Sequence, residues 1–148
     1  MNRYGRAMEL SHALDFVRPR RQGVLTTIRG NGRPQLSNIM FVTQADDSIL
    51  ISVTDDRAKT RNLRRDPRAS LYVLGDNFWQ YVVLEAAAEL APVASDPHDA
   101  TVDRLVDYYR TGVGEHENWE EYRAAMVKDR RLVLTLRPER AYGQVATG

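Results

Sequence analysis

The chain has 148 residues, enough for one domain with its own core, and its 43% apolar and 28% charged residues are ordinary for a globular protein. A net charge of +1 gives no overall pull toward nucleic acid or a membrane surface, so any recognition of charge must be local. The absence of cysteine excludes disulfides, thiolate nucleophiles and cysteine-ligated metals.

Residues 1–8 read as an irregular lead-in. Leu10, Ala13, Leu14 and Val17 then recur at helical spacing, which predicts a short helix from Glu9 to about Val17, ended by Pro19. The period next changes to two. Val24, Thr26 and Ile28 share one face of a first strand, with Leu25 and Thr27 on the other, and Asn31-Gly32 marks a hairpin. A second strand is expected over Gln35–Thr43. Gln35 and Ser37 lie on the face of Ile39 and Phe41, and Asn38 on the face of Leu36 and Met40. Asp46-Asp47 marks a turn into a third strand, Ser48–Thr54, where Ile49, Ile51 and Val53 alternate with Leu50, Ser52 and Thr54.

A basic segment follows and reads as a short helix, with Asp55 or Asp56 as its cap and Asp66-Pro67 as its stop. Ala69–Leu74 and Tyr81–Leu90 are a fourth and a fifth strand. Asp96-Pro97 is the expected start of a helix with Val102, Leu105, Val106 and Tyr109 as its buried stripe, broken at Gly112 and Gly114. Asn118-Trp119-Glu120-Glu121 resembles a capping box for a second helix, and Leu132–Leu136 makes a sixth strand. Short connections between strands imply antiparallel pairing, and so many strands in so short a chain imply closure into a barrel. The expected architecture is mainly β with peripheral helices, a single domain over residues 1–148.

The segment 57–68 carries six cations in twelve residues: Arg57, Lys59, Arg61, Arg64, Arg65 and Arg68. Two readings stand on the residues alone, a solvated basic face and an anion site. Cations in the first turns of a helix oppose its dipole at about 0.3–1 kcal/mol each, and an anion docked on the free N–H groups relieves that cost. Thr60 and Asn62 add hydroxyl and amide donors. A nucleic-acid stripe lacks the interleaved aromatic residues that stack on bases. Uncharged polar residues on an apolar strand, such as Gln35, Ser37 and Asn38, are either exposed or in contact with something.

Two stretches, Gly23–Ile28 with Gly32–Asn38 and Arg57–Leu71, resemble the split β-barrel superfamily of pyridoxamine-phosphate-oxidase-like flavoproteins, and within it the deazaflavin-dependent reductases that use coenzyme F-420. The similarity extends over nearly the whole chain, including Asp129-Arg130-Arg131 at the entry to the last strand. The resemblance implies a six-stranded antiparallel split barrel and a homodimer with two sites between protomers. It implies that Lys59, with Arg57 and Arg61 beside it, holds the phosphodiester and carboxylate tail of F-420, and that Ala58, Thr60 and Asn62 belong to the same segment of the site. It further implies ring-edge contacts from Gln35, Ser37 and Asn38, backbone and hydroxyl groups from Val53 and Thr54, and Trp79 at the partner's cofactor. Ala58 stands where the oxidases carry arginine, and their C-terminal substrate segment has no obvious counterpart, which points away from vitamin B6 oxidation.

The activity so implied is hydride transfer from reduced F-420 to a small unsaturated acceptor of quinone, tetrapyrrole or enone type. The alternatives are an FMN-binding oxidoreductase of the same fold and a carrier that binds cofactor without turnover. His12, His98 and His116 share no ligand spacing, so no metal is expected. No serine–histidine–acid arrangement is present, and no catalytic residue is assigned. With no run of about 20 apolar residues and no signal-like start, the expected protein is soluble and cytoplasmic, without a membrane or nucleic-acid partner.

Overall fold

The computed structural model describes residues 6–145. Its strands are β1 (Arg6–Met8), β2 (Gln22–Ile28), β3 (Pro34–Met40), β4 (Val42–Thr43), β5 (Ile49–Thr54), β6 (Arg68–Leu74), β7 (Tyr81–Leu90) and β8 (Arg131–Gln144). The helices are α1 (Leu10–Val17), α2 (Ala58–Arg65), α3 (Ala100–Gly112) and α4 (Trp119–Lys128). All strand pairs are antiparallel, in the order β3-β2-β6-β7-β8-β5-β4, with β1 beside β8. No helix among the described residues is long and apolar enough to cross a membrane.

The sheet therefore has eight strands, where six were expected. The stretch read as one strand over 35–43 is two. It pairs with β2 up to Met40, passes through fully buried Phe41, and pairs with β5 from Val42. That change of partner curls the sheet into a split barrel. Part of the expected lead-in, Arg6–Met8, pairs with Ala141–Gly143; residues 1–5 lie outside the described residues. The last strand continues past Pro138 to Gln144, because the proline falls where the β7–β8 register shifts between Glu85 and Ala86. Near its end Gly143 has φ +156°, and a Cβ there would lie 2.2 Å from the Tyr81 carbonyl oxygen, so only glycine fits against β7.

Alternation divides the apolar residues between two cores. Leu25, Phe41, Ile49, Ile51, Val53, Leu71, Leu84, Leu132 and Leu134 fill the barrel, and α1 adds Ala13, Leu14 and Val17. Leu50 and Val133 face outward and are covered by Val102, Leu105, Val106 and Tyr108 of α3 and by Tyr122 and Met126 of α4. With both faces covered, β5 and the first half of β8 are apolar almost continuously.

The cap of α3 differs from expectation. Asp96-Pro97 belongs to a turn closed by Asp99 N–H on the Asp96 carbonyl, and Asp99 caps α3 by accepting from Val102 N–H. Asn118 caps α4 as expected, accepting from Glu121 N–H at 3.1 Å, while its own N–H donates to His116 Nδ1 at 2.9 Å.

Tyr122 donates to the Leu105 carbonyl at 2.8 Å and is 8% exposed. Burial pushes its hydroxyl up to about 12; Tyr108 adds to the rise and Arg131 opposes it. A raised tyrosine pKa contributes stability that is full below the unfolded value of 10.0 and is lost as pH rises through about 12. Alkaline titration should show the Tyr122 phenolate forming together with loss of helical circular dichroism, and a Tyr122→Phe variant should lack that step.

Candidate functional site

The partner change at Phe41 leaves two sheet edges diverging from one point, β3 on one side and β5 on the other. Hydrogen-bond parity identifies what they offer. Phe41 N–H donates to the Arg21 carbonyl at 2.7 Å, so Gln35, Ser37 and Ile39 spend their backbone groups on β2. Leu36, Asn38 and Met40 turn theirs to the open edge. Asp55 N–H donates to the Arg130 carbonyl at 3.0 Å, so Ile51 and Val53 bond to β8, and Ser52 and Thr54 face the seam. Tyr108 closes the narrow end: its hydroxyl donates to the Met40 carbonyl at 2.9 Å and lies against the Ser52 N–H. Burial raises its pKa, which the Ser52 N–H and Arg131 partly offset.

Helix α2 stands at the wide end. Leu63 anchors it in the barrel core. Thr60 is fully buried, and its hydroxyl donates to the Thr54 carbonyl at 2.7 Å. The Asn62 amide donates to Thr27 Oγ1 and Gln35 Oε1, both at 3.1 Å, and its oxygen accepts from Arg65 at 3.2 Å. Thr60, Asn62 and Gln35 thus brace the helix against the two edges.

The six cations separate into two sets. Arg64 pairs with Asp55 at 2.5 Å, Arg68 with Asp66 at 2.7 Å, and Arg65 donates to the Ile28 carbonyl at 2.6 Å. The side chains of Arg57, Lys59 and Arg61 have no hydrogen-bond or ion-pair partner among the described residues. Lys59 is half-buried. Desolvation lowers its pKa, and the charges of Arg57 and Arg131 lower it further.

The N-terminus of α2 has no side-chain cap, which corrects the expected role of Asp55 and Asp56. Asp55 is drawn away to Arg130 and Arg64, which hold its carboxyl below the usual range, and Asp56 accepts from the Thr54 hydroxyl at 2.9 Å. Thr54, Asp56, Arg57, Ala58, Asp129 and Arg131 line an open depression of 560 Å³ at this terminus.

The structure thus brings Thr54, Arg57, Ala58 and Lys59 together at one end of the seam, with Arg61 exposed on the same helix. Val53 is 2% exposed and its backbone is bonded to β8. Ser37 lies on the barrel side of β3 and Asn38 on the outer side, as the alternation predicts. Trp79 stands apart on the β6–β7 loop, 72% exposed and edge-to-face with Phe78 at 5.0 Å. Among the described residues no histidine, aspartate or glutamate cluster has a metal-binding arrangement. Two residues of the site were not foreseen. Arg131 enters the sequence reading only within Asp129-Arg130-Arg131 at the entry to the last strand, with no role in the site, and Tyr108 is buried where Tyr109 was expected to be.

Comparison with known proteins places this geometry in a family. An F-420 reductase shares the fold at TM-score 0.61 and 23% identity, over 86% of this chain and 93% of its own. A conserved hypothetical protein of Mycobacterium tuberculosis matches at TM-score 0.69 and 21% identity, over 100% and 97%. A haem storage protein of Vibrio cholerae matches at TM-score 0.61 and 17% identity, over 88% and 89%. The family model described as pyridoxamine 5'-phosphate oxidase matches residues 11–145, and the chain belongs to that family.

Proposed function

We propose that the chain is a coenzyme F-420-dependent oxidoreductase, passing hydride from reduced deazaflavin to an unsaturated organic acceptor. The sorting of the α2 cations carries the reading: three are neutralised or bonded within the fold, and Arg57, Lys59 and Arg61 are not. A desolvated lysine beside two arginines is a poor structural element and a good anion receptor. The tail of F-420 bears a phosphodiester and several carboxylates. Separated anions of that kind match separated cations, with Arg131 across the depression, better than the single phosphate of FMN does.

When bound, the cofactor supplies the hydride chemistry, and the protein supplies binding, orientation and exclusion of water. Arg57, Lys59 and Arg61 hold the tail together with the free N–H groups of Ala58 and Lys59. The open β3 edge presents N–H and C=O groups of Leu36 and Asn38 to the edge of the ring. Exclusion of water along the seam calls for a second surface. A homodimer supplies one, with the exposed Trp79 of each protomer reaching the other's site.

Titration of the purified chain with F-420 and with FMN tests the reading. F-420 should bind at least about tenfold more tightly. Tight FMN binding without F-420 binding would transfer the site to the flavin alternative. Reduced F-420 that binds but is not oxidised by any quinone, tetrapyrrole or enone would make the chain a carrier.

A further inference from the structure

A second groove, on the outer face of β2, β3 and β6, takes no part in the tail site. We propose that it docks the hydride acceptor, and that the acceptor is a planar conjugated molecule carrying a carboxylate. The word acceptor rests on the deazaflavin reading; the chemistry of the groove does not.

The register places Gln22 opposite Met40 and Val24 opposite both Asn38 and Tyr72, so these side chains share the outer face. The groove they floor has a volume of 840 Å³. Gln22 and Asn38 are polar positions in its floor, and the rest is apolar and aromatic: the Tyr72 ring stacks on Tyr81 at 5.5 Å and 20°, and Leu74 beside it is 47% exposed. Such a surface holds the face of a conjugated body, because offset stacking is favourable over a wide area. At Asn38 and Met40 the groove reaches the open β3 edge, so a ligand lying in it has one end at the seam.

The far rim is cationic. Arg20 lies over Phe16 at 3.8 Å and pairs at 3.2 Å with Asp76, whose carboxylate is 95% exposed. Arg21 differs. One of its terminal nitrogens donates to the Arg18 and Arg20 carbonyls, both at 3.0 Å, which fixes the guanidinium. No carboxylate among the described residues pairs with it. A held, unneutralised guanidinium beside a largely apolar floor is complementary to a carboxylate on an apolar body, and Arg–carboxylate bonds are among the stronger ones available. A neutral acceptor would use the floor and leave that charge unmatched.

Calorimetric titration with a carboxylated naphthoquinone and with its methyl ester tests the proposal, on the cofactor-free chain and on the chain loaded with oxidised F-420. The acid should bind about tenfold more tightly than the ester in at least one of the two states. Arg21→Gln should abolish that preference and leave ester affinity within about twofold, and Arg21→Lys should restore part of it. Equal binding of acid and ester in both states, or a preference that survives Arg21→Gln, overturns the proposal. So does a groove that binds neither while Tyr72→Glu converts a dimer to monomer, for the face is then a protomer interface. An acid preference without F-420 binding removes only the deazaflavin reading, and F-420 binding without an acid preference removes only this one.

Discussion

Replacing Lys59 with alanine should weaken binding of F-420, the proposed cofactor, by about a hundredfold and leave thermal stability unchanged within a few degrees. Both halves follow from its surroundings. Lys59 is half-buried, and burial with the nearby charges of Arg57 and Arg131 disfavours its ammonium form. A bound anion removes that penalty and gains a charge-assisted hydrogen bond. In the free protein the side chain has no partner to lose, so alanine costs the fold little. Because an anion raises a pKa that lies below the usual lysine value, affinity should fall as alkaline pH passes through it. Arg64→Gln is the control. Its charge is answered by Asp55, so its loss should change affinity less than about threefold. Isothermal titration and thermal melts of the two variants decide the matter. Normal binding by Lys59→Ala would remove the anion site, and equal weakening by Arg64→Gln would remove the distinction between the two sets of cations.

That distinction was not legible in the residues alone; the family resemblance implied it by assigning the tail to Arg57, Lys59 and Arg61. The number of cations was legible there, and so was the helix that carries them. Which ones are neutralised depends on Asp55 turning back to Arg64 and on the Ile28 carbonyl reaching Arg65, contacts that only the folded chain makes. The strands were legible for the opposite reason, since side-chain alternation is local. Their number was not, because Ile39 and Phe41 continue one unbroken alternation across the point where the strand changes partner. Polar type was equally ambiguous. Gln35, Thr60 and Asn62 carry the donors and acceptors a ligand site needs, and in the fold they are bonded to one another or to β2 and β5.

Their position gives those residues a second role, which Asn62→Leu should expose. Asn62 is 6% exposed and links three elements: its own helix through Arg65, β2 through fully buried Thr27, and β3 through Gln35. Leucine preserves volume and leaves the Thr27 hydroxyl and the Gln35 carbonyl oxygen without their donor, at a cost of about 2–4 kcal/mol in unfolding free energy. Gln35→Met removes one of those two bonds and should cost less. Gln35→Glu keeps an acceptor in the same place and should cost least of the three. The brace also sets the distance between the α2 terminus and the open β3 edge, the two ends of the proposed cofactor site. Loosening it should reduce affinity for whole F-420 by about tenfold, because binding at one end then no longer positions the other. Affinity for the deazaflavin chromophore without its tail, which engages only the β3 end, should stay within about twofold. Equal losses for the whole cofactor and the tail-less chromophore would mean that Asn62 acts on the ring end alone, and no loss for either would reduce it to a structural amide.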